Sequence, residues 1–315
     1  MSKHRDHGGG LDAAVARHGG EKSDWIDLST GINPVPYPIG DIAPNAWAAL
    51  PDAAAQDGLI QAARAFWDVP HEAAILAAPG ASSLIARLPA LWPKGRAAIE
   101  TPTYNEHAGA FDTHGWDVVT HAPEKGVTVQ VVVHPNNPDG RVWDADAFTA
   151  PFTIIDESFC DIAPEQSHIA RTRRDDTIVL KSFGKFWGLA GLRLGFAIGA
   201  PDLIDRLASL IGPWAVSGPA LSIGRTALMD AAWTEATRAR LAQDAARMDG
   251  LFAAKGATLV GGTTLFRLYE VDDARAWQTR LAQGRVWSRI FPYSERWIRI
   301  GLPAPDGWDQ LEAAL

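Results

Sequence analysis

Apolar and polar positions change rhythm along the chain, and the changes mark out elements. Residues 127–133, VTVQVVV, form a short apolar run dominated by a β-branched side chain, which predicts a buried strand. Short runs at Ala73–Ala78, Arg96–Glu100, Phe152–Asp156, Thr177–Leu180 and Leu194–Ile198 predict further strands. Helical patterns lie among them: Ala55–Trp67, Ser82–Trp92 with Ser82 as N-cap, and Glu106–His114. Strands separated by helices predict an α/β fold, with a mostly parallel mixed sheet flanked by helices.

After Pro201 the rhythm changes. Asp202–Ile211 predicts a short helix, and a long one starts at Ser217 or Gly218 and runs toward Lys255, stopped by Gly256. Thr258–Val260, Thr264–Tyr269, Val286–Ile290 and Trp297–Ile300 read as strands, and Asp272–Gln283 and Asp306–Leu315 as helices. This is a smaller α+β domain. The first forty residues are rich in Gly and Pro and predict little regular structure; Asp27–Pro34 and the Val-Pro-Tyr-Pro38 after it read as an extended arm with turns. The expected division is a large domain over 41–215 and a small one over 1–40 plus 216–315.

Composition narrows the function classes. The 315 residues are 47% hydrophobic and 21% charged, an ordinary globular balance that argues against disorder. Acidic residues outnumber basic ones, 37 to 29, and the net charge of −8 argues against a general grip on nucleic acid or anionic membrane. The most apolar long stretch, Leu203–Leu228, contains Pro213, Pro219, Asp205, Arg206 and Arg225, so no membrane span is expected. The first ten residues have no apolar core, so no secretory signal is expected there. The single cysteine, Cys160, excludes an intramolecular disulfide and a Cys-cluster metal site; no metal is expected, and the cytoplasm is the default location.

Four polar clusters fall at strand ends, where ligands bind in open α/β sheets. Lys185, in KSFGKFWGLAGLRLG, follows a strand and sits in a Gly-rich apolar loop. Desolvation there would free its amine for Schiff-base chemistry; the plainer reading is a solvated loop lysine. Asp156 ends a buried strand beside Glu157, as a partner for a pyridinium, a helix cap or a metal ligand; no phosphate-binding Gly-Lys-Ser/Thr loop accompanies it. Asn137, in HPNNPDG, is either a donor to a ring oxygen or part of a turn. Pro79-Gly80-Ala81-Ser82-Ser83 joins a strand to a helix and reads as an anion site, which Ser182 and Arg193 could complete.

These clusters, in this order, with Ser-x-x-Lys and an Arg eight residues after the lysine, resemble the fold-type I aminotransferase superfamily of pyridoxal 5'-phosphate (PLP) enzymes. The resemblance covers nearly the whole chain. It implies that Lys185 binds the cofactor aldehyde and shuttles the proton, and that Asp156 pairs with the pyridine nitrogen. Asn137 would bond the ring hydroxyl oxygen and Tyr104 stack on the ring. Ala81, Ser82, Ser182 and Arg193 would hold the cofactor phosphate, with Gly80 in the same turn, and Arg299 the substrate α-carboxylate. Three segments are similar to one branch, the L-threonine-O-3-phosphate decarboxylases of cobalamin biosynthesis: His7-Gly-Gly-Gly10 with Leu11-Asp-Ala, Trp25–Pro34, and Gly212–Ala220.

That branch implies a small phosphorylated amino-acid substrate, held by His7, Gly8, Gly9, Asn33 and Arg299, and the superfamily resemblance implies a homodimer. Read alone, His-Gly-Gly is a frayed terminus. The rival is a histidinol-phosphate-type PLP aminotransferase, which would share the fold and most cofactor contacts. Two positions depart from the superfamily pattern: Phe159 and Leu50 stand where many members carry Tyr. The connection from Gly140 to Phe152 leaves room for about two helical turns at most.

Overall fold

A computed structural model describes residues 7–120 and 125–315. By its contacts the chain divides into two compact units: residues 37–137 with 142–234, and residues up to Pro36 with Pro138–Arg141 and Glu235–Leu315.

The first unit is built on a seven-stranded sheet in the order Ala74–Ala78, Gly195–Gly199, Thr177–Ser182, Phe152–Asp156, Val127–Val133, Arg96–Ile99, Asp117–Val119. Six strands run in one direction; Gly195–Gly199 is antiparallel to both its neighbours, which makes the sheet mixed. Parallel central strands are buried on both faces and so carry unbroken apolar runs. Ile99, Val129, Val131, Ile154, Ile178 and Leu180 pack on one face with Leu84, Leu88 and Phe111 from the covering segments. Asp117–Val119 is too short to announce itself in the sequence and pairs only at the edge.

Several expected elements take a different form. The helix expected over Ser82–Trp92 is Ala81–Ile85 followed by a 3-10 turn over Leu88–Leu91, because Pro89 cannot donate to a continuing helix. Ser82 is not its cap: Gly80 holds that position, and the Ser82 hydroxyl accepts from Arg193 instead. The long helix is two, Gly218–Leu228 and Ala231–Ala254. Asp230 separates them, its side chain accepting from the Trp233 N–H at 2.9 Å to start the second. Between Gly140 and Phe152 only a 3-10 turn forms, Ala145–Ala147.

The second unit holds a four-stranded antiparallel sheet in the order Arg289–Phe291, Ser294–Gly301, Phe266–Glu270, Thr258–Thr263. The run expected as one strand over Val286–Ile290 divides: Val286–Trp287 leaves that sheet and pairs in parallel with Ile26–Asp27. The N-terminal segment carries more structure than expected. Leu11–His18 is a helix, and its Ala14 packs against Trp25 and Ala282.

Candidate active site

At the carboxyl ends of the central strands, a cavity of about 150 Å3 is lined by Ala81, Ser82, Tyr104, Asn137, Asp156, Ser158, Phe159, Ser182, Lys185 and Arg193. Period-two alternation explains the gathering. Val133, Asp156 and Ser182 end three adjacent strands on the same sheet face as the apolar cluster beneath them.

Asp156 is 2% exposed. Its Oδ2 accepts from His107 Nε2 at 2.9 Å, and its Oδ1 from the Ser158 N–H at 3.0 Å and hydroxyl at 2.5 Å. Burial pushes the carboxyl pKa up, but the bond to His107 and the donors of Ser158 outweigh it and hold the pKa below the usual carboxylate value. The contact assigns the proton of His107 to Nε2. Lys185 is half-buried, its Nζ 5.3 Å from the centre of the Phe159 ring. Tyr104 stands edge-on to His107 at 6.1 Å.

Arg193 closes the other side. It adopts a left-handed backbone conformation, φ 55°, and donates from Nη2 to the Ser82 hydroxyl and from Nη1 to the Ala190 carbonyl, both at 2.9 Å. Gly80 makes this approach possible, since a Cβ there would collide with the Arg193 guanidinium. The Ser182 hydroxyl accepts from the Gly184 N–H at 3.2 Å. One cavity therefore combines an ionised carboxylate, a primary amine, an aromatic face, and an arginine with two hydroxyls. This donor set fits PLP, whose ring nitrogen, aldehyde and phosphate call for those partners.

The expected substrate residues lie in the second unit. His7, Gly8 and Gly9 line a cavity of about 480 Å3 with Arg17, Ser29, Ser288 and Arg289. The Gly9 N–H donates to the Ser29 hydroxyl at 2.7 Å, and that hydroxyl donates to Asp27 at 2.6 Å, which fixes the arm. Arg299 is 3% exposed, donates to the Ser29 carbonyl at 2.6 Å and lies 5.2 Å over the Phe266 ring. The Asn33 amide oxygen accepts from the Val35 N–H and from Arg240 Nη2. Neither Asn33 nor Arg299 is among the residues lining these two cavities.

Three residues join the picture that the sequence did not single out. Ser158, two residues after Asp156, turns back onto it. His107 follows Tyr104 at a spacing of three, which places the two on one helical side, a signal that was present in the pattern. Arg289 sits in the run Val286–Ile290, and only the fold brings it beside the Gly-rich arm.

The fold and the first cavity define a PLP enzyme of one class. The chain belongs to the aminotransferase class I and II family, whose description matches residues 24–313. Within that class it is 39% identical to a threonine-phosphate decarboxylase of Sinorhizobium sp, over 95% of this chain and 93% of that protein. It is 35% identical to a threonine-phosphate decarboxylase of Pseudomonas aeruginosa, over 98% of this chain and 97% of that one. Among solved structures, histidinol-phosphate aminotransferase from Sinorhizobium meliloti in complex with PLP matches with a TM-score of 0.82 at 20% identity, covering 98% of this chain and 93% of that one. At that identity the match speaks for the fold alone.

Proposed function

We propose that the protein is a PLP-dependent carboxy-lyase that converts L-threonine O-3-phosphate to (R)-1-amino-2-propanol O-2-phosphate and CO2, a step of cobalamin biosynthesis. The observation that carries the substrate is the near-full-length similarity to two threonine-phosphate decarboxylases. The donor set around Asp156 and Lys185 supports the cofactor's place. It acts in the cytoplasm, as a homodimer.

Asp156, Asn137, Tyr104 and Lys185 hold the ring end of PLP in this reading, and Gly80, Ala81, Ser82, Ser182 and Arg193 its phosphate. Bound there, the cofactor supplies an electron sink for the pair released when a bond to the substrate Cα breaks. Asp156, kept ionised by His107 and Ser158, stabilises a proton on the ring nitrogen. Lys185 Nζ delivers the proton that replaces the departing carboxylate on Cα. Arg299 pairs with the α-carboxylate. His7, Gly8 and Gly9 hold the substrate phosphate with Arg289, and Asn33 completes the substrate set. The groups that would grip carboxylate and phosphate, Arg299 and the His7–Gly9 arm with Arg289, would choose decarboxylation by fixing the rotamer of the substrate about Cα.

Incubation with PLP and threonine phosphate should release CO2 and the phosphorylated amine in equal amounts. Histidinol phosphate with 2-oxoglutarate should give no turnover. Lys185→Ala should abolish CO2 release, and Arg299→Ala should mainly raise KM. Robust transamination of histidinol phosphate without CO2 release from threonine phosphate would replace this reading with the aminotransferase.

A further inference from the structure

Behind the cofactor cavity lies a cluster of charged groups that no step above uses. Lys181, Glu157 and Asp161 are 2%, 0% and 3% exposed. Lys181 Nζ is 2.6 Å from Glu157 Oε2 and 3.7 Å from Asp161 Oδ1. Glu157 also accepts from the Ser167 hydroxyl and the His168 N–H, each at 2.6 Å. Asp161 accepts from the indole N–H groups of Trp67 at 2.8 Å and Trp187 at 3.0 Å. Burial opposes the charge on Lys181, yet the two carboxylates overcome it and raise its pKa. The cluster is ionised and every member is hydrogen-bonded, as buried charge requires.

Its place in the chain gives it meaning. Glu157 follows Asp156, and Lys181 precedes Ser182. Alternation puts Glu157 and Lys181 on the sheet face opposite their neighbours. The two strands are parallel and paired, Asp156 with Leu180, and the Glu157 N–H extends the ladder to the Leu180 carbonyl at 3.0 Å. Trp187 lies two residues beyond Lys185. A buried ion pair is no efficient source of stability, because apolar side chains of similar size do as well. What it does supply is a short, directional link at one position.

We propose that Lys181 is a positioning residue for the cofactor: its clamp on Glu157 and Asp161 locks two strand ends together and fixes the spacing between Asp156 and the Ser182–Lys185 segment. The proposal rests on the assignment of PLP to this cavity. Its test separates positioning from folding. Lys181→Met alone leaves two anions buried with one cation gone and should destabilise the full chain. Lys181→Met with Glu157→Gln removes one charge of each sign, so its denaturation midpoint should return toward wild type. Its affinity for PLP should nevertheless stay roughly tenfold weaker, the scale of a lost supporting contact.

Wild-type PLP affinity and an unshifted absorbance band of bound cofactor in a stable double variant would overturn the proposal. Ser167→Ala serves where the double variant does not fold. It removes one donor from Glu157, and with it the acceptor of the Ile169 N–H, while leaving Lys181 and Asp161 in place, and should weaken PLP by less than the loss of the clamp; no change there overturns the proposal too. Lys185→Ala in the same titration tells the two readings apart. If it binds PLP like wild type, the site assignment fails and this proposal with it. If it loses the band while the Lys181 variants bind normally, positioning alone is wrong.

Discussion

Two opposing effects meet at Asp156. Burial favours the neutral acid, whereas His107 and Ser158 favour the anion, and the anion prevails. A folded pKa below the unfolded value of about 3.9 makes this group a source of stability. That stability is complete above the unfolded value and is lost as pH falls through the folded value. Asp156→Asn should therefore flatten the fall in Tm of the apoprotein below about pH 4, measured by calorimetry across pH; an unchanged acid limb would show that the group carries no such linkage. His107→Ala should cost about 1–3 kcal/mol in denaturant unfolding and weaken PLP, because it strips a hydrogen bond from a buried anion. Loss of stability without any loss of PLP affinity would make His107 a packing residue only. Asp156 was legible from its place at the end of FTIID, but its partner was not. The bond to His107 spans 49 positions, and no local pattern encodes a contact made by the packing of a helix on a strand end.

The strands over 96–99, 127–133, 152–156 and 177–182 fall within two residues of where the apolar runs placed them, because burial on both faces leaves little choice of residue. Helix ends were harder. The pattern runs on through Met229 and Asp230, and only the Asp230 side chain, turned to Trp233, shows that one helix stops and another starts. Leu11–His18 was masked by the glycines that flank it, and it buries only Ala14. The turn after Asn137 shows what a loop motif conceals. Gly140 has φ 71°, and a Cβ there would collide with the Gly262 carbonyl on strand Thr258–Thr263. The Asp-Gly pair is thus a close-packing requirement as well as a turn. Gly140→Ala should destabilise by about 1–3 kcal/mol in chemical denaturation; a value near zero would mean that the strand yields freely.

The proposed homodimer would find an apolar contact face on the first unit. Trp47, Leu50 and Met229 are 69%, 68% and 68% exposed. Leu50 and Met229 line a groove of about 910 Å3 formed by the segments around Pro44–Ala48, Ala53–Phe66 and Gly218–Leu228. Single exposed apolar residues need no explanation, but three large ones on neighbouring segments, Trp47 on Pro44–Ala48, Leu50 just after it and Met229 at the end of Gly218–Leu228, favour a covering partner. The net charge of −8 repels a second copy at long range, and screening confines that repulsion to about 8 Å at physiological salt, so apolar contact decides at short range. A two-fold arrangement would bury the same patch on both copies, so one substitution acts twice. Light scattering should give a mass of twice 33.9 kDa for the wild type and 33.9 kDa for Trp47→Asp. Circular dichroism of the variant should be unchanged, because so exposed an indole lies outside the core. A wild type that stays at the single mass at micromolar concentration, or a variant that keeps the double one, would remove this face as the dimer contact.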